Sequence, residues 1–355
     1  MSRSVAVIGT GWAERVQIPA FKEAGLSVVG IAGRDADKAA RIAREHGVAF
    51  ATADWRDLLS LDCDLISITS PPMLHHDQAL AVLEAGKHLL CEKPLAVTLA
   101  EAKAMADAAE AHPDRLALVD HELRFVTARL KARELLRSGF IGRVLTVSAR
   151  VATDMRVDPE SPYSWWSDKA RGGGILGAIG SHVLDGVRWL LEEQYGGIKM
   201  SGGATGQVYP ERKDAAGTMQ RVTADDIVSA NFYIGDVVGS MFVHGAALTE
   251  AVDLLFIRGD KGTLVIDSSL KLYVSKGTSP LKEYVTQLPG SVPNRFRSNA
   301  FAAGTVLLGQ ALAEALDAGP FHPGLAIREA ATLQDGLVVQ RLMEDIRRFA
   351  EAGRA

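Results

Sequence analysis

The sequence predicts an α/β protein in two parts. A doubly wound parallel sheet is expected over residues 1–122, and an α+β domain over 123–355 built on a large, open, mostly antiparallel sheet. Three observations carry this expectation. Short apolar runs alternate with helical patterns from Ser4 to Val119, as repeated β–α units of a parallel sheet require. The first run ends in Gly9-Thr10-Gly11, a tight turn between a first strand and a first helix. From Ile198 to Val274 the pattern becomes consecutive strand-like runs with glycine-bearing turns, which predicts antiparallel hairpins.

Composition narrows the class. A chain of 355 residues suits about two domains. Hydrophobic residues make up 47% and charged residues 23%, as in ordinary globular proteins. Thirty-nine Lys and Arg against 43 Asp and Glu give a formal charge of -4, and no basic stripe suggests nucleic acid. No apolar run approaches the roughly 20 residues of a membrane helix. Met1-Ser2-Arg3-Ser4 leads straight into a strand pattern rather than a secretory leader. The two cysteines, Cys63 and Cys91, form no disulfide framework and no metal motif. A reduced, cytoplasmic, metal-free protein is expected.

The elements follow in order. Ser4 to Ile8 is a strand, and Gly9 to Glu14 reads G-x-G-x-x-G with the third glycine replaced by Glu14. The first glycine permits the tight turn, and the second lets backbone approach a pyrophosphate at the following helix start. Alone, such a turn is often just a loop. Here a helix from Arg15 to Ala24 and a strand from Ser27 to Ala32 frame it, so Gly9, Thr10, Gly11, Trp12 and Ala13 are the expected phosphate cradle. The second strand ends in Gly33-Arg34-Asp35. Glycine holds the position of the usual ribose-reading acid, and Arg34 can pair with a 2′-phosphate or lie over the adenine. This favours NADP over NAD. The alternative for Arg34 is a solvated charge at a helix start, and Asp35 remains able to reach the ribose.

A helix from Asp37 to His46, a short strand near Ala49 and a helix near Trp55 to Leu59 come next. Leu65 to Thr69 is a buried strand ended by Ser70-Pro71-Pro72. His75-His76-Asp77 opens a helix stopped at Gly86. Adjacent histidines point to different sides of a helix start, so no metal site is expected, and His75 is placed beside the nicotinamide end of a cofactor. Leu89-Leu90-Cys91 then runs into Glu92-Lys93-Pro94. A lysine at the carboxyl end of a parallel strand stands where open sheets bind ligands, although a solvated Lys-Pro turn reads equally well from these residues alone. A helix from Leu99 to Ala111 and a strand from Leu116 to Val119 end at Asp120-His121-Glu122, again polar at a carboxyl edge.

Gly9-Thr10-Gly11, Ser70-Pro71-Pro72 with His75, Ala85-Gly86-Lys87-His88 and Cys91-Glu92-Lys93-Pro94 come in one order and spacing. The chain thereby resembles the Gfo/Idh/MocA oxidoreductases, the group of glucose–fructose oxidoreductase and inositol dehydrogenase. The resemblance implies a Rossmann domain for NAD(P). It implies that Lys93 meets the substrate beside the nicotinamide and that Glu92 lies near the nicotinamide ribose. Ser70, Pro71 and His75 join the expected cofactor contacts.

After Arg124-Phe125 the pattern changes to a helix (Thr127 to Ser138), a turn (Gly139 to Gly142) and a long strand (Arg143 to Ala152). The loop from Val157 to Arg171 carries Tyr163, Trp165 and Trp166. Such rings suit stacking on a sugar or a nicotinamide, and equally the filling of a core. With His121 and Arg124 they are the candidate substrate contacts. Gly172-Gly173-Gly174 opens a helix from Ile175 to Leu191. The family's second motif, Asp-x-x-x-His, maps here onto Ala178 and His182, so its carboxylate is missing and Asp185 is the candidate replacement. Strands from Ile198 onward, with a two-residue turn at Gly235-Asp236, leave a sheet face carrying Phe232 and Phe242 that needs a partner. The family usually pairs such sheets, which implies a homodimer or homotetramer. Two helices, Asn299 to Ala318 and Leu325 to Ala352, finish the chain around Gly319-Pro320.

The resemblance implies an NAD(P)-dependent oxidoreductase acting on a secondary alcohol or ketone of a sugar, cyclitol or derivative. Lys93 would polarise the oxygen, His182 would shuttle the proton, and Asp185 would assist. Two other readings stay open. One is a glycosidase working through transient oxidation and elimination; the other is a nucleotide-binding regulatory protein that turns nothing over.

Overall fold

The computed structural model describes residues 3–248, 252–269, 271–317 and 327–354. Expectations resting on Met1, Ser2, Ala251, Leu270, Ala318, Gly319-Pro320 and Leu325 fall outside the described residues. The chain forms two compact units, residues 1–125 with 289–337, and residues 126–288 with 338–355.

The first unit is the doubly wound sheet. Its strands are β1 (Ser4–Ile8), β2 (Ser27–Ala32), β3 (Phe50–Thr52), β4 (Leu65–Ile68), β5 (His88–Cys91) and β6 (Ala117–Val119). They pair in parallel in the order β6-β5-β4-β1-β2-β3. Between them run α1 (Ile18–Glu23), α2 (Ala36–His46), α3 (His75–Glu84) and α4 (Leu99–Ala111). Local chemistry sets their ends. The Asp35 side chain caps α2, which stops at Gly47 with φ +59°, and Thr98 and Glu101 form a capping box on α4.

A parallel sheet must bury both faces, and β1 divides its side chains accordingly. Ala6 and Ile8 join a core with Val82 and Leu83 of α3 and Met105 of α4. Val5 and Val7 face the other core, with Phe21 and Ile42. This second face explains a departure from the expected division, which kept 123–355 as one uninterrupted second part. Residues 289–337 return to the first unit. The short helix α1 covers little area, and α7 (Ala300–Asp317) supplies Leu308, Leu312 and Leu316 to the same core. Gly309 brings α7 close to Phe21 and Ala24. β17 (Ala331–Thr332) then adds an antiparallel edge strand to β6, and Leu333 and Leu337 of α8 (Leu333–Ala352) enter the opposite core.

The second unit holds an eight-stranded sheet. Its strands are β7 (Val144–Ala152), β8 (Ile198–Gly206), β11 (Ile227–Ile234), β12 (Val237–His244), β13 (Val252–Gly259), β14 (Gly262–Asp267), β15 (Leu272–Lys276) and β16 (Lys282–Tyr284). Their order is β16-β15-β14-β13-β7-β12-β11-β8. The β11–β12 hairpin turns at Gly235-Asp236, with Gly235 at φ +54°. β7 inserts between β12 and β13 and runs parallel to β12, so those two strands are not a hairpin. A small ribbon of β9 (Glu211–Lys213) and β10 (Met219–Arg221) lies where the sequence pattern was weakest. Helices α5 (Thr127–Arg137) and α6 (Ser181–Tyr195) complete the unit with the end of α8.

The expected pairing of Phe232 and Phe242 on one exposed face is corrected. Phe232 is 1% exposed, and its ring fills the space left by Gly239 directly across the β11–β12 ladder. Phe242 lies on the opposite face and is partly exposed, together with Tyr233 (48%) and Val238 (52%). Alternation along a strand was legible, but not which parity turns inward. Among the described residues no helix is long and apolar enough to cross a membrane.

Candidate active site

The carboxyl ends of β1, β2, β4, β5 and β6 carry the candidate residues of the first unit. The Gly9 N–H donates to the Ala32 carbonyl at 2.8 Å, which closes the turn onto β2. Gly9 sits at φ +129°, and a Cβ there would lie 2.2 Å from Thr69 Oγ1 and 2.8 Å from Thr69 backbone. Gly11 differs. It is exposed, and a Cβ there would meet nothing within 4 Å. One glycine is required by the fold; the other leaves open space beside backbone, which is the cradle a pyrophosphate needs.

Residues Ala13–Gln17 form a wide helical turn that leads into α1. Glu14, in place of a third glycine, reaches α2, where Arg41 Nη1 donates to it at 2.9 Å and lowers its pKa. Arg34 is exposed at the end of β2. Asp35 accepts from the Lys38 N–H at 3.0 Å, so its carboxylate is committed to the helix start. The Thr10 methyl stands 2.3 Å from where a Gly33 Cβ would be, so a side chain at the acid position would require the Thr10 side chain to move. These residues fit a dinucleotide: Gly9 to Ala13 would hold the pyrophosphate and Arg34 the adenosine end.

His75 corrects an expectation. It is 0% exposed, and its ring nitrogens lie 3.1 Å from the Pro94 carbonyl and 2.8 Å from the Ser70 carbonyl. Burial holds its pKa below the ordinary histidine value. It therefore ties the turn after β4 to the Lys93–Pro94 turn instead of facing a cofactor. Ser70 Oγ donates to Gln78 Oε1 at 2.6 Å, which holds the Ser70-Pro71 turn onto α3.

At the end of β5 the Glu92 N–H donates to the Ile68 carbonyl, and the Lys93–Pro94 peptide is cis. Lys93 is partly exposed, and its N–H donates to Glu92 Oε2 at 3.2 Å. Behind it lie Asp120 and Glu122, both buried. Gln17 Nε2 donates to Asp120 Oδ2 at 2.8 Å and to Glu92 Oε1 at 3.3 Å, while Gln17 Oε1 accepts from Ser67 Oγ at 2.7 Å. Burial, then the Asp120 charge, pushes Glu92 up to about 8. Burial pushes Asp120 up to about 6 and Glu122 well above the ordinary range. The expected role of Glu92 at a nicotinamide ribose is thus joined by a carboxyl network that sequence reading did not assemble. Only the polar cluster Asp120-His121-Glu122 at a strand end hinted at it.

His121 and Arg124, expected as substrate contacts, are buried, and Arg124 Nη1 lies 3.4 Å from Asp335 Oδ2. In this unit Arg124 anchors the returning chain at the start of α8.

In the second unit, His182 and Asp185 lie on α6 and Ala178 in the turn before it, at 4%, 2% and 8% exposure. The start of this segment is held by Asp225, a residue the sequence did not single out. Its Oδ1 accepts from the Leu176 N–H at 2.7 Å, and its carbonyl accepts from the Ile175 N–H at 2.8 Å. Trp165 and Trp166 pack in a tilted arrangement, 5.1 Å between centroids, and both residues and Tyr163 are partly exposed. Gly173 allows the loop to close, because a Cβ there would meet the Trp165 and Trp166 carbonyls at 2.5 Å. Cys63 and Cys91 are buried and unbridged.

Comparison with known proteins decides the family. A model described as an oxidoreductase family with an NAD-binding Rossmann fold matches residues 3–121, and the GFO/IDH/MocA C-terminal domain matches residues 130–265. The chain belongs to the GFO/IDH/MocA oxidoreductase family. Glucose-fructose oxidoreductase domain-containing protein 2 of Bos taurus is 27% identical over 369 residues, covering 99% of this chain and 92% of the relative. Levoglucosan dehydrogenase of Pseudarthrobacter phenanthrenivorans is 34% identical over 257 residues, covering 67% of this chain and 64% of the relative. A solved levoglucosan dehydrogenase in complex with NADH and levoglucosan superimposes with a TM-score of 0.87 at 25% identity, over 99% of this chain and 98% of that one. As a GFO/IDH/MocA oxidoreductase, the chain carries a glycine turn, a Lys93 at an open sheet edge and a Rossmann sheet that agree with one another.

Proposed function

We propose that the protein is a dehydrogenase that uses NAD(P) to oxidise a secondary alcohol of a sugar, cyclitol or derivative, or to reduce the matching ketone. The observation that carries the reading is Lys93, partly exposed at the carboxyl edge of the sheet that bears the Gly9–Gly11 turn and backed by buried carboxyls. The similarity to levoglucosan dehydrogenase supports a sugar-like substrate. The bound nicotinamide supplies the hydride chemistry. The Lys93 ammonium donates to the substrate oxygen and stabilises the charge that develops there. His182 gives or takes the proton and Asp185 supports it, roles that rest on the family motif. The test is a panel of sugars, cyclitols and glycosides with NAD and with NADP, following nicotinamide absorbance and aglycone release. Silence across the panel with cofactor binding intact would overturn the reading, and aglycone release without net reduction would favour the glycosidase.

Arg34, exposed at the end of β2, and the lack of an acid at Gly33 to repel a 2′-phosphate support a preference for NADP. A charge-assisted contact from Arg34 to a 2′-phosphate contributes about 1.5–3 kcal/mol. Arg34→Ala is expected to weaken NADP roughly 10–100-fold and NAD far less, measured by fluorescence titration. Equal losses for both cofactors would remove the assignment.

The apolar side chains on the outer sheet face, Tyr233, Val238 and Phe242 among them, are read as an interface between copies of this chain. Light scattering is expected to give a dimer or tetramer; a single 37.9 kDa species at micromolar concentration would contradict it.

A further inference from the structure

The network behind Lys93 has a geometry that the dehydrogenase reading does not use. Gln17 donates to both Asp120 and Glu92, and Ser67 fixes the orientation of the amide through its oxygen. One amide nitrogen thus holds an oxygen of each carboxyl, and burial together with the Asp120 charge raises the Glu92 pKa, so the two acids disfavour being ionised together. Asp120 Oδ1 and Glu122 Oε2 are buried without a hydrogen-bond partner, so a second ionisation has no donor to receive it. The groups around the pair are Cys91 and Lys93 from the β5 end and Glu122 after β6, with neutral Gln17 and Ser67 from the adjoining elements. His121 follows Asp120 in the chain, and His75 packs on Pro94.

We propose that Asp120 and Glu92 act as a positioning pair for Lys93: they share a single proton, are clamped by Gln17, and present one negative charge to the one positive charge of the lysine. The inference rests on the dehydrogenase reading for its kinetic consequence only. While it holds the proton the pair carries one charge, and at higher pH, once the proton is lost, it carries two. The second charge draws the ammonium toward the carboxylates and away from a substrate oxygen. Gln17 lies on the turn that follows the phosphate cradle, so the same clamp ties the position of Lys93 to that turn.

The test uses the full chain labelled with 13C at glutamate δ and lysine ε carbons. The Glu92 signal is identified by its loss in Glu92→Gln, and that of Lys93 by its loss in Lys93→Met. In the wild type Glu92 is expected to titrate near 8, with the Lys93 signal moving at the same midpoint. In Asp120→Asn the Glu92 midpoint should fall by more than about one unit, and the Lys93 signal should lose its movement near 8. The kcat profile should lose its alkaline limb in the same variant, a change in pH dependence that a merely structural loss would not produce. If Asp120→Asn fails to fold, Glu92→Gln provides the mirror experiment, read on the Lys93 signal, which should lose the same movement near 8. A wild-type Glu92 that titrates in the ordinary carboxylate range overturns the shared proton. A Lys93 signal indifferent to the pair overturns the positioning role. These two readouts decide the proposal even if no substrate is turned over, an outcome that would count against the dehydrogenase reading alone.

Discussion

Lys93→Met is expected to lower kcat by about 10²–10³-fold or more, the size of losing a preorganised donor to a developing oxyanion. Methionine keeps most of the methylene stem and removes only the ammonium, so the turn between Glu92 and Pro94 should persist. The phosphate cradle lies on other elements, from Gly9 to Ala13, and NADH affinity should therefore change less than about threefold. Steady-state kinetics with a turned-over substrate and fluorescence titration of NADH separate the two quantities. The same assay carries His182→Ala, for which a general base is worth about 10²–10⁴-fold, and Asp185→Asn, which should move the pH profile if that carboxylate supports His182. Wild-type turnover in both Lys93→Met and His182→Ala would show that neither residue serves the reaction.

The two glycines of the turn should separate folding from binding. Gly9→Ala forces a side chain into positive φ and against Thr69 backbone, with strain of about 1–3 kcal/mol before the collision is counted. Its melting temperature should fall by several degrees or more. Gly11→Ala meets nothing in the protein, so its melting temperature should match the wild type. The added methyl occupies the space where a pyrophosphate would approach backbone, and NADH affinity should drop roughly 10–100-fold. If Gly11→Ala binds NADH as tightly as the wild type, the cradle is not where the dinucleotide rests. A loss of stability equal to that of Gly9→Ala would mean that the open space is not open.

Much of this protein was determined by short stretches of sequence. The strand at Ser4–Ile8, the cap at Asp35 and the hairpin at Gly235 each depend on residues within a few positions of one another, where side-chain sterics and local hydrogen bonds decide. The placement of Lys93 after a buried strand was legible for the same reason. Tertiary structure alone decided what depends on distant chain meeting. Gln17 finds Glu92 and Asp120 across separations of 75 and 103 residues, and Asp225 reaches the start of the His182 segment across 49. Residues 289–337 return to the first unit because a parallel sheet needs both faces covered and α1 covers too little of one. Phe232 turns inward because Gly239 across the ladder makes room for it, and strand alternation alone carries no sign. His75 reads as a polar residue beside a ligand turn, yet two backbone carbonyls brought together by folding hold it as an internal tie. Periodicity along a chain encodes which elements form; which buried polar groups meet is settled only when the sheet brings its strand ends side by side.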